Sequence, residues 1–431
     1  MSRSSSEVAT RRNENSGPLR ALSGGSSRAV ERRMLHALGR MVGSPPLRIE
    51  LWDGAGVGPE GSEGRIRIED RGALYHLAAQ PNMGFGDLFS AGRIHVDGRL
   101  PDVLETLFGS LHRARDDRSA LVNRFLEAKP QSGANQRAAR KNIHHHYDLG
   151  NDFYRLWLDS EAMQYTCAYF ETPELTLEQA QRAKMEHVCR KLQLQPGQEV
   201  IEAGCGWGGL ARYMAREYGV RVRSYNISRE QLDFARQKAK EEGLDDRVEY
   251  IEDDYRNIDG HCDAFVSVGM LEHVGPANYG EFARVIERCL DPAGRGLIHT
   301  IGRNRPAGMH AWIEKRIFPG AHPPAIGEFM DLFESANLSV QDVENLRLHY
   351  AQTLEHWLER FDEHQEQVRS WYDEEFVRAW RLYLAGSIAS FRVGTLQLFQ
   401  TTFAPAQNNE LPGNRHYLYG QPATEPGGSL D

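Results

Sequence analysis

The sequence predicts an α/β protein: an open, mostly parallel sheet with helices on both faces, preceded by a smaller α+β domain. Three observations carry this. Beyond residue 176, short apolar runs alternate with stretches of helical spacing, the pattern of a parallel sheet. One such run, Val200-Ile201-Glu202-Ala203, leads into glycines at 204, 206, 208 and 209 and then into an amphipathic helical pattern. At 431 residues, 40% hydrophobic and 26% charged, the chain has the size for two domains and the balance of a soluble globular protein.

Taken in order, residues 1–28 are rich in Ser, Arg and Gly and read as a disordered basic tail; Glu7, Glu14 and the lack of an amphipathic helix set it apart from a transit peptide. An amphipathic helix is expected over 27–42 and short strands over 47–52, 65–69 and 94–96. Residues 81–92 (PNMGFGDLFSAG) read as turn-rich and apolar, and helical spacing returns over 102–128. The predicted organisation is therefore a tail (1–28), a front domain (29–128), a linker (129–141), a main domain (142–405) and a C-terminal tail (406–431). No uncharged run reaches the ~18 residues that span a bilayer, and no signal peptide opens the chain.

The net charge of −9 conceals a split. Residues 1–141 carry 22 Lys and Arg against 16 Asp and Glu; residues 142–431 carry 29 against 44. A basic front on an acidic body suggests an anionic partner, a nucleic acid or a phospholipid surface. The five cysteines are odd in number and scattered without C-x-x-C pairs, which suits a reducing cytoplasm and neither a disulfide framework nor a zinc site.

In the main domain, Thr176 with Gln179 forms a capping-box signature opening a helix to about residue 192, and Ser228 with Gln231 repeats the signal. Strands are expected over 199–203, 220–226, 248–252, 264–268 and 296–300. Two more, near 339–343 and 396–403 with helices over 353–393 between them, would complete a seven-stranded sheet. In such a sheet the ligand lies across the carboxyl ends of the strands. The first end offers Glu202, Gly204 and Gly206 in a G-x-G-x-G spacing. This differs from the G-x-G-x-x-G of dinucleotide sites and favours a nucleoside without phosphate, S-adenosylmethionine (SAM) being the candidate. The second offers Asn226, Ile227, Ser228 and Gln231 for ribose hydroxyls; the third, Asp253, Asp254 and Tyr255 for an adenine. The fourth ends in Gly269-Met270-Leu271-Glu272-His273 and the fifth in His299-Thr300-Ile301-Gly302.

From about residue 142 to 403, and more weakly in front, the chain resembles the cyclopropane-fatty-acid synthases. The residues that carry the resemblance are HYDLGND (146–152), QYTCAYF (164–170), the glycine stretch, SVGMLEHVG (267–275), HTIG (299–302) and Trp312-Ile313-x-Lys315-x-Ile317-Phe318-Pro319. The resemblance implies a class I SAM-dependent methyltransferase fold that acts on unsaturated acyl chains of membrane phospholipids. It implies SAM-binding roles for Tyr165, Thr166, Glu202, Gly204, Gly206, Asn226, Ile227, Gln231, Asp254 and Tyr255. It also implies a bicarbonate ion as base, held by Cys167, Glu272, His299, Tyr350 and the backbone of Ile301.

Chemically this is coherent. An alkene attacking the SAM methyl needs no enzyme nucleophile, but the resulting acyl cation must be kept from water, stabilised by aromatic faces such as Tyr165, Tyr169 or Phe170, and relieved of a proton. Glu272 is suited to accept the bicarbonate hydroxyl proton and orient the ion. The expected product is a cyclopropane fatty acid. The alternative is a 10-methylene fatty acid, which would need a reductase partner to become a methyl branch. The family resemblance implies a homodimer, cytoplasmic and peripheral to the inner face of the membrane, with no nucleic-acid partner. Met83, Phe85, Leu88 and Phe89 in the basic front domain are candidates for membrane docking. Two departures from the family pattern are Glu202 in place of Asp and Asn226 in place of Thr, both retaining hydrogen-bonding capacity. No metal is expected: neighbours in His144-His145-His146 point in different directions in either helix or strand. The core motifs leave residues 406–431 unexplained.

Overall fold

The computed structural model describes residues 25–114 and 149–419. The expected N-terminal tail (but for its last four residues), the linker, the second half of the helix expected over 102–128, the triple histidine and residues 420–431 lie outside the described residues.

The front unit opens with helix Ala29–Met41 and a four-stranded sheet of β1 (Arg48–Leu51), β2 (Gly56–Val57), β3 (Arg65–Ile68) and β4 (Ile94–Asp97), ordered β2-β1-β3-β4. Period-two alternation explains which face is covered: Ile49, Leu51, Ile66 and Ile68 are buried, while the charged residues between them face outward. Helices Arg71–Ala79 and Pro81–Ser90 lie between β3 and β4, and helix Leu100–Arg113 follows.

The segment 81–92 is thus mainly a helix rather than a run of turns. Pro81 sits in its first turn, where a missing N–H costs nothing. Gly86 is there for close approach: a Cβ at that position would lie 2.4 Å from the Trp312 ring. Leu88 and Phe89 are buried, and Met83 and Phe85 pack against the same core. Leu88 and Phe89 therefore belong to the core and are not exposed for membrane docking, while Met83 and Phe85 are partly covered by the same cluster.

The main sheet contains β5 (Glu199–Ala203), β6 (Arg221–Asn226), β7 (Val248–Glu252), β8 (Cys262–Val268), β9 (Leu290–Gly302), β10 (Leu338–Asn345) and β11 (Gln397–Pro405). Their order is β10-β11-β9-β8-β5-β6-β7, with β11 antiparallel to both neighbours and the other pairs parallel. All seven expected strands are present. Chain direction across the sheet reverses between β5 and β8, so a crevice opens at their carboxyl ends.

Helix Leu177–Leu192 begins with the expected box, Thr176 Oγ1 accepting from Gln179 N and Gln179 Oε1 accepting from Thr176 N. The box expected at Ser228 is not made. Helix Arg229–Glu241 has no side-chain cap, because Gln231 turns to Asn226 instead.

Three helices, Arg347–Glu363, Gln365–Trp371 and Glu374–Arg392, connect β10 to β11. The last packs on both Leu100–Arg113 and Pro81–Ser90. Arg378 donates to the carbonyls of Phe89 (2.6 Å) and Ile94 (3.0 Å) and stacks over the Phe89 ring. One buried cluster therefore runs from Leu35 and Leu104 through Trp380 to Cys167 and Leu398. No helix among the described residues is long and apolar enough to cross a membrane.

Candidate active site

The glycine loop joins β5 to helix Gly209–Tyr218. Gly206 has φ +52° and open space where a Cβ would project, so its backbone can lie against a ligand at the start of that helix. Asn226, at the end of β6, secures this loop. Its Nδ2 donates to Gly206 O (3.3 Å) and Gln231 Oε1 (2.9 Å), and its Oδ1 accepts from Ser228 N (3.1 Å), which closes the turn containing Ile227. Glu202 is buried and accepts from Ser224 Oγ at 2.6 Å. Burial pushes its carboxyl up to about 7, against the Ser224 hydrogen bond and the positive charges of Lys184 and Arg212.

At the end of β7 the structure gives one residue a second role. The Asp254 carboxylate already takes both Nη1 contacts of Arg256 at 3.0 Å and the Arg256 backbone N–H at 3.1 Å. It anchors the turn, and its Oδ2, with a single contact, keeps acceptor capacity. The adjacent Tyr255 hydroxyl is buried without a hydrogen-bond partner and is the unused polar group at this strand end.

Residues 164–167 lie over the crevice, held by the expected helix Leu177–Leu192, whose buried polar face the sequence reading passed over. Gln181 Nε2 donates to the carbonyl of Thr166 (2.8 Å); buried Lys184 donates to Thr166 Oγ1 (3.0 Å) and to Gln164 Oε1. Burial brings the Lys184 ammonium down to about 8, with Asp159, Cys167 and Glu202 acting in the opposite direction. Thr166 also abuts the end of β8: a Cβ on Gly269 would lie 2.8 Å from Thr166 Cγ2. Tyr165 and Tyr383 share a hydroxyl contact at 2.9 Å, and Tyr383 meets the Phe318 ring edge-on.

Glu272 follows β8, and His299 lies near the end of the adjacent β9, with Val268 opposite it in register. The Ile301 backbone N–H donates to Glu272 Oε1 at 2.5 Å. That amide therefore orients Glu272, and is not itself free to hold an anion. Oε2 of Glu272 is buried without a partner among the described residues, and burial pushes the carboxyl up to about 7. His299 Nδ1 contacts Gln400 Nε2 at 3.1 Å, and its Nε2 is buried without a partner. Burial, reinforced by nearby Lys184 and Lys191, keeps this ring neutral.

Cys167 and Tyr350 meet at one carbonyl. Leu346 O accepts from the Cys167 thiol at 3.8 Å and from Tyr350 N at 3.1 Å, while Leu346 N donates to Leu398 O, opposite Ile301 in the sheet. Burial pushes the Cys167 thiol up, so it is a neutral donor and not a thiolate nucleophile. Tyr350 packs on Phe391 and Trp357. The structure thus joins Glu272 to Ile301, sets His299 beside the end of β8, and links Cys167 through Leu346 to the start of the helix that carries Tyr350.

The residues that sequence reasoning missed are Gln164, Gln181, Lys184, Lys191 and Gln400. A signal existed for the helix: Gln181, Lys184, His187 and Lys191 recur at helical spacing, and all four are buried. Polar residues repeating on one face, among apolar neighbours, mark a face turned to a polar interior.

Residues 134–401 match the family model described as mycolic acid cyclopropane synthetase. A probable fatty acid methyltransferase of Pseudomonas putida is 36% identical over 389 residues, covering 87% of this chain and 96% of that protein. The cyclopropane-fatty-acyl-phospholipid synthase of Escherichia coli (strain K12) is 36% identical over 370 residues, covering 84% and 94%. Among solved structures, a mycolic acid cyclopropane synthase complexed with SAH and CTAB superposes with a TM-score of 0.58 at 31% identity, covering 61% of this chain and 97% of that one.

Proposed function

The chain belongs to the mycolic acid cyclopropane synthetase family and is a SAM-dependent methyltransferase, and on that premise we propose that it builds a cyclopropane across the double bond of an unsaturated phospholipid acyl chain, with bicarbonate as base. The observation that carries the reading is that Glu272 Oε2 and His299 Nε2, just beyond β8 and on the adjacent strand β9, are buried polar atoms without partners among the described residues. Buried polar atoms are costly when unpaired, so each of these favours a polar ligand as its partner.

SAM, when bound, supplies an electrophilic methyl carbon. Gly204, Gly206, Glu202, Asn226, Ile227, Gln231 and Tyr255 would hold it from the sheet side, with Tyr165 and Thr166 above. Bicarbonate supplies a base small enough for a dry pocket; Cys167, Glu272, His299 and Tyr350 would hold it. Glu272 Oε2 would accept from the ion's hydroxyl, and Ile301 N–H holds the carboxylate in position for it. Tyr165, Tyr383 and Phe318 exclude water and offer π faces to a cation on the acyl chain. The surplus of positive charge in residues 1–141 supports an encounter with anionic headgroups at the membrane surface.

The test is incubation with SAM and vesicles of a mono-unsaturated phospholipid, followed by mass spectrometry of the acyl chains. Gain of one methylene unit with loss of the double bond is expected. The same gain with a double bond retained would mean a methylene product, and absence of SAM turnover on such lipids would overturn the substrate reading.

A further inference from the structure

We propose that Gln400, oriented by Lys191, is a positioning residue that fixes the ring proton of His299 on Nε2 and so makes that atom the hydrogen-bond donor for bicarbonate. The donor role rests on the bicarbonate reading above; the placement of the proton stands on the protein's own hydrogen bonds.

Three adjacent strands and one helix supply the chain of contacts. Gln400 on β11 faces His299 on β9 in register, and its side chain is fully buried. Its Oε1 lies 2.8 Å from Lys191 Nζ, in the last turn of helix Leu177–Leu192. Lys191 Nζ also lies 2.6 Å from Glu344 Oε2 on β10, whose carboxylate is 2.7 Å from His187 Nε2 as well. An ammonium can only donate. Lys191 therefore settles which end of the Gln400 amide faces which neighbour: the oxygen toward the lysine, the NH₂ toward His299.

An amide NH₂ also can only donate, so His299 Nδ1, 3.1 Å away, accepts and carries no proton. A neutral imidazole with a bare Nδ1 holds its proton on Nε2. The charged groups facing this ring are Lys184, Lys191 and Glu344; the two ammoniums together with burial hold it neutral. The Nε2–H so created is buried and unpaired, a donor kept for a ligand. Were the proton on Nδ1, Nε2 would present a lone pair to an anion and repel it.

The experiment uses the full-length protein labelled with [¹⁵N]histidine, with His299→Asn identifying the resonances. The wild type is expected to show Nε2 protonated and Nδ1 bare; a proton on Nδ1 would overturn the positioning role. In kinetics, a bicarbonate requirement of the wild type is measured first, and its absence would sink the donor role along with the base assignment. Given that requirement, Gln400→Met, equal in reach but unable to donate, is expected to raise KM for bicarbonate roughly tenfold, as loss of one buried hydrogen bond does, while KM for SAM stays put. An unchanged KM for bicarbonate, or an equal rise in both, would refute the proposal. Binding of S-adenosylhomocysteine by the variant checks its fold, and the wild-type spectrum decides the proton's place even if the variant does not fold.

Discussion

The carboxylate of Glu272 takes the Ile301 backbone N–H on one oxygen at 2.5 Å and leaves its other oxygen buried without a partner among the described residues. One strand end thus aims an acid at its neighbour and leaves half of that acid unused. Burial places its titration at about 7, with the hydrogen bond from Ile301 acting to lower it.

Because the unused oxygen must be bare to accept a proton, turnover is expected to rise with pH through about 7 and then level off. Glu272→Gln should remove this limb and lower kcat by ~10²–10⁴-fold. Rate against pH for both proteins checks it, and an identical limb in the variant would assign the titration elsewhere.

Asn226 joins the end of β6 to the glycine loop and to Gln231. Asn226→Ala is expected to weaken SAM binding about 2–10-fold, the value of one or two neutral hydrogen bonds, with little change in fold. Calorimetric titration with S-adenosylhomocysteine measures this, and wild-type affinity would remove Asn226 from the cofactor site.

Gly86→Ala places a methyl group 2.4 Å from the buried Trp312 ring. Overpacking of this kind costs about 1–3 kcal/mol. Urea unfolding should show the loss, and Trp312→Phe combined with Gly86→Ala should recover part of it. If Gly86→Ala alone is neutral, the two elements have room to separate.

Glu178 is held at about 2 by two hydrogen bonds from Arg360 at 2.9 and 2.8 Å. Its acidity is greater in the folded state than in the unfolded one. The stability it contributes is therefore complete above about 4.5 and drains away as pH falls toward 2. Glu344 acts in the same window: against its burial, His187 and Lys191 hold it at about 2. The thermal midpoint of Glu178→Gln should be lower than wild type at neutral pH and should converge on it in acid; parallel curves would refute the assignment.

Much of the main sheet could be read directly, because buried parallel strands are short apolar runs and several ended in a recognisable glycine or acid, as at Glu202-Ala203-Gly204. The same local logic failed at Pro81–Ser90, where Pro81, Gly84 and Gly86 carry turn propensities that contact with Trp312 overrides. It failed at Ser228 because Gln231 had a better partner in Asn226. Cys167, Glu272, His299 and Tyr350 became legible as a group only through the family pattern. Gln400 carried no local mark, and its pairing with Lys191 none either: they are 209 positions apart, and only the fold makes them neighbours.

β11 is the last strand in the chain, yet it lies inside the sheet, between β9 and β10. A ribosome must release residues 397–405 before that sheet can close, so no nascent fragment can be an enzyme. Until then β9 and β10 keep open edges able to pair with other chains.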